Sequence, residues 1–146
     1  MKTKSFTLIV ATAVVSTFSF GQKINETSAA VEFKNKFQPA LMQGKIDDAK
    51  NALLSAKKYI DLAAEHPDTK ASSKTLYYKG EIYGGAVQLA MMSGDSSFLV
   101  NNFGKDAFDI SIANLKEAYT KDKKFRFDIE QSVNMQTAML SPLASN

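Results

Sequence analysis

The chain has 146 residues, with 18 Lys and Arg against 15 Asp and Glu for a formal net charge of +3, no Cys and one His. The missing Cys excludes disulfides, thiol nucleophiles, iron–sulfur clusters and Cys-based zinc sites, and a lone His leaves no catalytic triad or His-rich metal site to assemble. A chain of this length is expected to form one domain with a modest core held by packing alone.

Residues 1–21 have the order of a secretory signal peptide. Lys2 and Lys4 give a positive start, an apolar run extends from Phe6 to Phe18, and Ser19 and Gly21 place small residues three and one positions before a cut ahead of Gln22. The run from Ser5 to Phe20 is 16 residues, shorter than the roughly 20 needed for a membrane-crossing helix. Cleavage between Gly21 and Gln22 and a periplasmic or secreted product are therefore expected, with no stable membrane span. The absence of Cys closes the lipid-anchored route. Losing Lys2 and Lys4 leaves 16 basic residues against 15 acidic ones, a net charge of +1, which carries no nucleic-acid footprint. Residues 22–27 are polar and read as a flexible lead-in.

The remainder, residues 28–140, reads as helices. The first is predicted over Ser28 to Met42, capped by Thr27 or Ser28, with Phe33, Phe37, Ala40 and Leu41 on one face. Pro39 is expected to kink it, and Gly44 to end it in the left-handed region. The second runs from Ile46 to Glu65, where Ile46, Ala49, Leu53, Ala56, Ile60 and Ala63 form one apolar stripe. Asp47 and Asp48 suit its positive N-terminus, and His66-Pro67 stops it. The third runs from Thr69 to Met92, with Leu76, Gly80, Tyr83, Val87 and Ala90 inward; Gly84-Gly85 implies either a kink or a close backbone approach. Ser93 to Gly104 reads as a loop. A fourth helix, Lys105 to Thr120, carries the stripe Phe108, Ile112, Leu115 and Tyr119, with Ser111 and Ala118 beside it. A fifth runs from Phe127 to Leu140, and residues 141–146 form a tail.

Two of these helices share a pattern. Ala49-x3-Leu53-x2-Ala56 matches Ser111-x3-Leu115-x2-Ala118, and Leu76-x2-Lys79-Gly80-x2-Tyr83 stands in the helix before the second copy. On these residues the chain resembles a tetratricopeptide repeat protein, whose units pair a Trp-x2-Leu-Gly-x2-Tyr helix with an Ala-x3-Phe-x2-Ala helix. Phe33 to Ala49 is 16 residues, in step with that family. Gly80 to Ser111 is 31 residues, so the second unit carries an insertion of about 19 residues against the family's pattern. The Ser-Phe-Gly-Gln signal ending, and the phrase Tyr59 to Pro67 followed by Leu76 to Tyr83, resemble exported proteins of Bacteroidetes-type bacteria. The resemblance implies an all-α fold in which antiparallel helix pairs stack as a short right-handed superhelix, about two units plus a trailing helix.

The same resemblance implies a concave groove lined by the first helix of each unit, with Lys34, Gln38, Tyr77 and Glu81 facing a bound segment. The family's carboxylate-gripping set of Lys, Asn and Arg is not reproduced. Tyr77 and Tyr78 are adjacent, about 100° apart around a helix, so one of them is expected at the surface. Phe98, in the Ser93–Gly104 loop, is a second candidate contact. His66 reads as a helix-stop residue, and Lys121, Lys123, Lys124 and Arg126 as cations complementing a helix C-terminus. No cofactor or metal site and no catalytic constellation stand out. The expected function is a non-enzymatic protein–protein interaction scaffold of the cell envelope, binding a protein or peptide, with self-association through the C-terminal helix as a further route. The alternative is a carrier holding a small apolar or glycan ligand between helices near Gly84 and Gly85, closed by the Ser93–Gly104 loop.

Overall fold

The computed structural model describes residues 23–140; the expected signal segment 1–21, with Gln22, and the expected tail 141–146 lie outside the described residues. Within them the chain is all-helical and contains no strand. None of these helices is long and apolar enough to cross a membrane.

Helix α1, residues 23–42, is already α-helical at residue 23, so most of the expected lead-in is ordered structure. Buried Glu26 explains this. Its Oε1 accepts hydrogen bonds from the Thr75 hydroxyl at 2.6 Å and from the Ser72 hydroxyl, tying the start of α1 to the start of a later helix. Thr27 and Ser28 consequently cap nothing; Thr27 Oγ1 donates back to the Lys23 carbonyl at 3.0 Å. The expected kink at Pro39 takes the form of a π-helical stretch, Glu32–Phe37, followed by α-helix Gln38–Met42. A Pro ring cannot accept the carbonyl four residues earlier, and widening the preceding turn relieves that clash. Gly44, at φ +70°, ends the helix, and Lys45 N–H bonds the Ala40 carbonyl at 2.9 Å.

Helix α2, Ile46–Glu65, buries Ala49, Leu53, Ala56, Ile60 and Ala63 as the stripe requires, with Ile46 half-buried. Leu53 and Ile60 are fully buried, each worth about 1.5–3 kcal/mol against exposure. His66 turns extended and stops it. Helix α3, Ser73–Ser93, starts four residues later than expected because 66–72 forms a turn, and Ser72 caps it by accepting the Thr75 N–H at 3.0 Å.

The expected loop Ser93–Gly104 contains helix α4, Ser96–Phe103, started by Asp95, whose Oδ1 accepts the Phe98 N–H at 3.0 Å. Helix α5, Ala107–Lys121, then runs to a short 3-10 turn, Lys123–Phe125, and helix α6, Arg126–Leu140, ends the described chain. On α5 the buried residues are Ala107, Ser111, Leu115 and Ala118, while Phe108, Ile112 and Tyr119 are half-buried. Small residues face the neighbouring helix, and the aromatics flank the seam.

The contacts define two layers. Glu26 meets Thr75 and Phe37 meets Gly85, so α1 lies parallel to α3; Tyr77 meets Asp128 and Gly84 meets Gln136, so α6 lies parallel to α3 on its other side. Asp61 meets Lys79 while Lys57 meets Tyr83, and Leu115 meets Gly80 while Ser111 meets Gly84, so α2 and α5 run antiparallel to α3 in the second layer. Helix α3 is thus the central helix, buried nearly all round. That is why Tyr77 and Tyr78 are both buried, at 3 % and 8 % exposure, where one was expected at the surface.

Candidate functional site

Because α1, α3 and α6 lie side by side, a groove opens between α1 and α6 with α3 as its floor. Lys34, Gln38, Tyr77 and Glu81 all line one cleft of about 350 Å³, together with Asp128, Gln131, Ser132 and Met135 of α6. A second cleft, about 310 Å³, continues from it and shares Gln38, Glu81, Ser132 and Met135, then passes over Phe33, Phe37 and Leu41. The groove is therefore polar at one end and apolar at the other. The π-helical stretch supports the apolar end: it carries Phe33 and Phe37 with their rings stacked at 5.1 Å.

Lys34 is exposed, and its ammonium stands over the rings of Tyr77 and Tyr78 at 5.9 and 5.6 Å. Tyr77 is held flat by stacking on Phe125 at 4.5 Å, with its hydroxyl 3.4 Å from Asp128 Oδ2. Burial first, then the charges of Glu81 and Asp128, push the Tyr77 phenol far above its ordinary pKa, so it stays a neutral donor. Glu81 is 9 % exposed, and its Oε1 has no hydrogen-bond partner. Burial pushes the Glu81 carboxyl up to about 7; Asp128 adds to that rise, while the Ser132 hydroxyl and Lys34 oppose it. A carboxyl so placed is a poised acceptor, and the groove around it offers amides from Gln38 and Gln131.

The four groove residues come together, and Phe98 does not join them. Phe98 belongs to α4, where its ring lies 6.0 Å from Phe103 and 5.4 Å from the Lys50 ammonium. Phe103 in turn packs edge-on to Tyr83 at 5.4 Å. The expected loop contact lies on a helix fastened to the second layer. Gly84 and Gly85 sit in an unbroken helix, so they serve close approach and not a kink. A Cβ on Gly84 would lie 2.8 Å from Ser111 Oγ, and one on Gly85 would lie 2.9 Å from Phe37 Cε1. The protein's own side chains pack close to both glycines, and both also line the 310 Å³ cleft.

The basic cluster is built into the structure. Lys121 Nζ donates to the Ala71 carbonyl at 2.9 Å and pairs with Glu117, while Arg126 stacks on Tyr119 at 4.9 Å. His66 Nδ1 accepts the Asp68 N–H at 3.2 Å within the turn. Among the described residues no group of three or more His, Cys, Asp or Glu is arranged to hold a metal.

The α6 wall was absent from the sequence-based set. Its signal was present: Asp128, Ser132 and Met135 follow i, i+4, i+7 spacing, which places them on one helix face. That face is mostly polar, and an apolar-stripe search passes over it. Compared with protein-family models, curated proteins and solved structures, the chain has no match. The tetratricopeptide resemblance accordingly rests on this chain's own sequence pattern.

Proposed function

We propose that this chain is a non-enzymatic interaction module of the cell envelope, of tetratricopeptide-like build, that holds a segment of a partner protein in the groove between α1 and α6. One observation carries the proposal: Lys34, Gln38, Tyr77 and Glu81, drawn from two helices and implied by the resemblance to face a ligand, line a single cleft. The packing of Gly80 against Ser111 and Leu115 supports the same reading, since these are the residues that carried the repeat pattern. A groove of this kind is recognised through side-chain anchors and main-chain hydrogen bonds. Export through residues 1–21 belongs to the proposal, and the mass of the mature protein, expected to begin at Gln22, checks it.

Position-specific photocrosslinking in the envelope tests the binding site. A photoreactive residue at Gln38 or Gln131, on the two groove walls, is expected to capture the same partner protein, and one at Phe98 on α4 is not. Equal capture from all three positions, or capture from Phe98 alone, contradicts the groove. Phe127, 69 % exposed on α6, favours self-association as the competing reading of the C-terminal end; crosslinks from Phe127 joining two copies of the chain, with none to a partner from Gln38, would support it.

A further inference from the structure

Glu81 is the one buried side chain in the groove left incomplete. It is nine-tenths buried, it lines both clefts, and its Oε1 has no hydrogen-bond partner. Buried acceptors are nearly always paired, and an unpaired one points to a strain reservoir, a functional role or a missing partner. The titratable and charged groups facing it are Lys34 from α1, Tyr77 on its own helix and Asp128 from α6, with the Ser132 hydroxyl beside them. Two carboxyl groups thus share the polar end with one ammonium, and that ammonium stands over the Tyr77 and Tyr78 rings.

Building on the groove reading above, we propose that Glu81 is the anchor of the groove and takes a basic side chain, Lys or Arg, from the bound segment. The Glu81 side chain, whose Oε1 is enclosed in the free protein, turns toward the cleft to accept the N–H and Asp128 shares the charge, while a neighbouring apolar side chain enters the cleft over Phe33, Phe37 and Leu41. A chain-terminal carboxylate has no donor to offer Oε1 and meets two carboxyl groups. A neutral amide satisfies the acceptor but leaves the negative excess in place. A cation does both, and hydrogen bonds to ionised groups are the stronger kind.

The geometry has a pH signature. In the free protein the Glu81 carboxyl, at about 7, is largely protonated in mild acid. A cation binds its ionised form, so binding releases a proton. Affinity therefore rises as pH increases toward and through 7, then levels off above it. An anionic segment would show the reverse, and a neutral donor little change.

The test uses the protein against a displayed library of random eight-residue peptides, followed by affinity measurements on synthetic copies of the selected sequences. The expected sequences pair Lys or Arg with an adjacent apolar residue and bind about tenfold or more tightly at pH 8 than at pH 5.5. Replacing their basic residue with Gln is expected to abolish that gain. Glu81→Gln, which keeps shape and removes the charge, is expected to weaken binding about tenfold at pH 8 and flatten the pH profile, with an unchanged helical circular dichroism spectrum. Gln38→Trp, at an exposed position lining both clefts, is expected to block binding. Peptides blocked by Gln38→Trp but indifferent to Glu81→Gln, or selected without basic residues, overturn this inference and leave the groove standing. A library without binders, or binders indifferent to Gln38→Trp, overturns the groove and this inference with it.

Discussion

The two sides of helix α3 are built from the same stretch of sequence and finished differently. Toward α5, Gly80 lets the Leu115 side chain and the Ser111 backbone come close enough that an added Cβ would lie 2.6 Å from Leu115 Cγ and 3.0 Å from the Ser111 carbonyl. The polar groups there are satisfied: Ser111 Oγ donates to the Gly80 carbonyl at 2.7 Å and lies 3.1 Å from Gln136 Oε1. One residue on, Glu81 points to the other side with a buried oxygen unpaired and two clefts beside it. A seam that closes completely serves stability. A buried carboxyl beside an open groove weakens the fold unless something arrives to complete it.

That contrast can be broken by mutation, and the largest effect falls on the closed side. Leu115 is fully buried, so Leu115→Ala is expected to lower stability by about 2–5 kcal/mol in urea unfolding. A loss under about 1 kcal/mol, within the range of surface substitutions, would mean the seam is not tightly packed.

Glu81→Gln tests the open side and should act in the opposite direction. The folded carboxyl lies near 7 against 4.5 for an unperturbed one. A raised acid favours the folded state while protonated, so its contribution is full below about 4.5 and is lost as pH rises through about 7. Wild type and variant should be nearly equal at pH 4. By pH 8 the variant should be more stable, by on the order of 3 kcal/mol for a group buried this deeply. A gap that stays constant with pH would show that Glu81 is not held protonated.

Gly80→Ala is a smaller probe of the seam. Overpacking costs about 1–3 kcal/mol, and the gain in helix propensity returns about 1, so a net loss near 1–2 kcal/mol is expected in the same unfolding assay. A gain would mean that Leu115 moves aside freely. The smallest effect belongs to Gln131→Ala on the exposed wall of α6, expected within about 0.5 kcal/mol of wild type in stability, with its consequence confined to ligand binding.

The helices were largely legible before the structure, because small and large apolar residues recur at helical spacing in α2, α3 and α5. The turn from His66 and the stop at Gly44 follow from local chemistry alone. Helix α4 was hidden by its composition: Ser-Gly-Asp-Ser-Ser and Asn-Asn read as turn residues, yet Asp95 there caps a helix. The burial of both Tyr77 and Tyr78 was not legible, since it depends on α1 and α6 covering α3 from distant parts of the chain. Half of the candidate site came from the repeat resemblance. The other half, Asp128, Gln131, Ser132 and Met135, lies on a polar face whose role appears only once α6 is seen to form a wall. The π-helical turn was likewise not legible, although Pro39 marked its position.

The most direct measurement is a carbon-13 NMR titration of the Glu81 carboxyl in the protein alone and with a selected peptide bound. A midpoint near 7 in the free protein that falls on binding is the predicted result. A midpoint in the ordinary carboxylate range in the free protein, or one that binding leaves unmoved, would contradict an α3 groove held open around an unpaired acid.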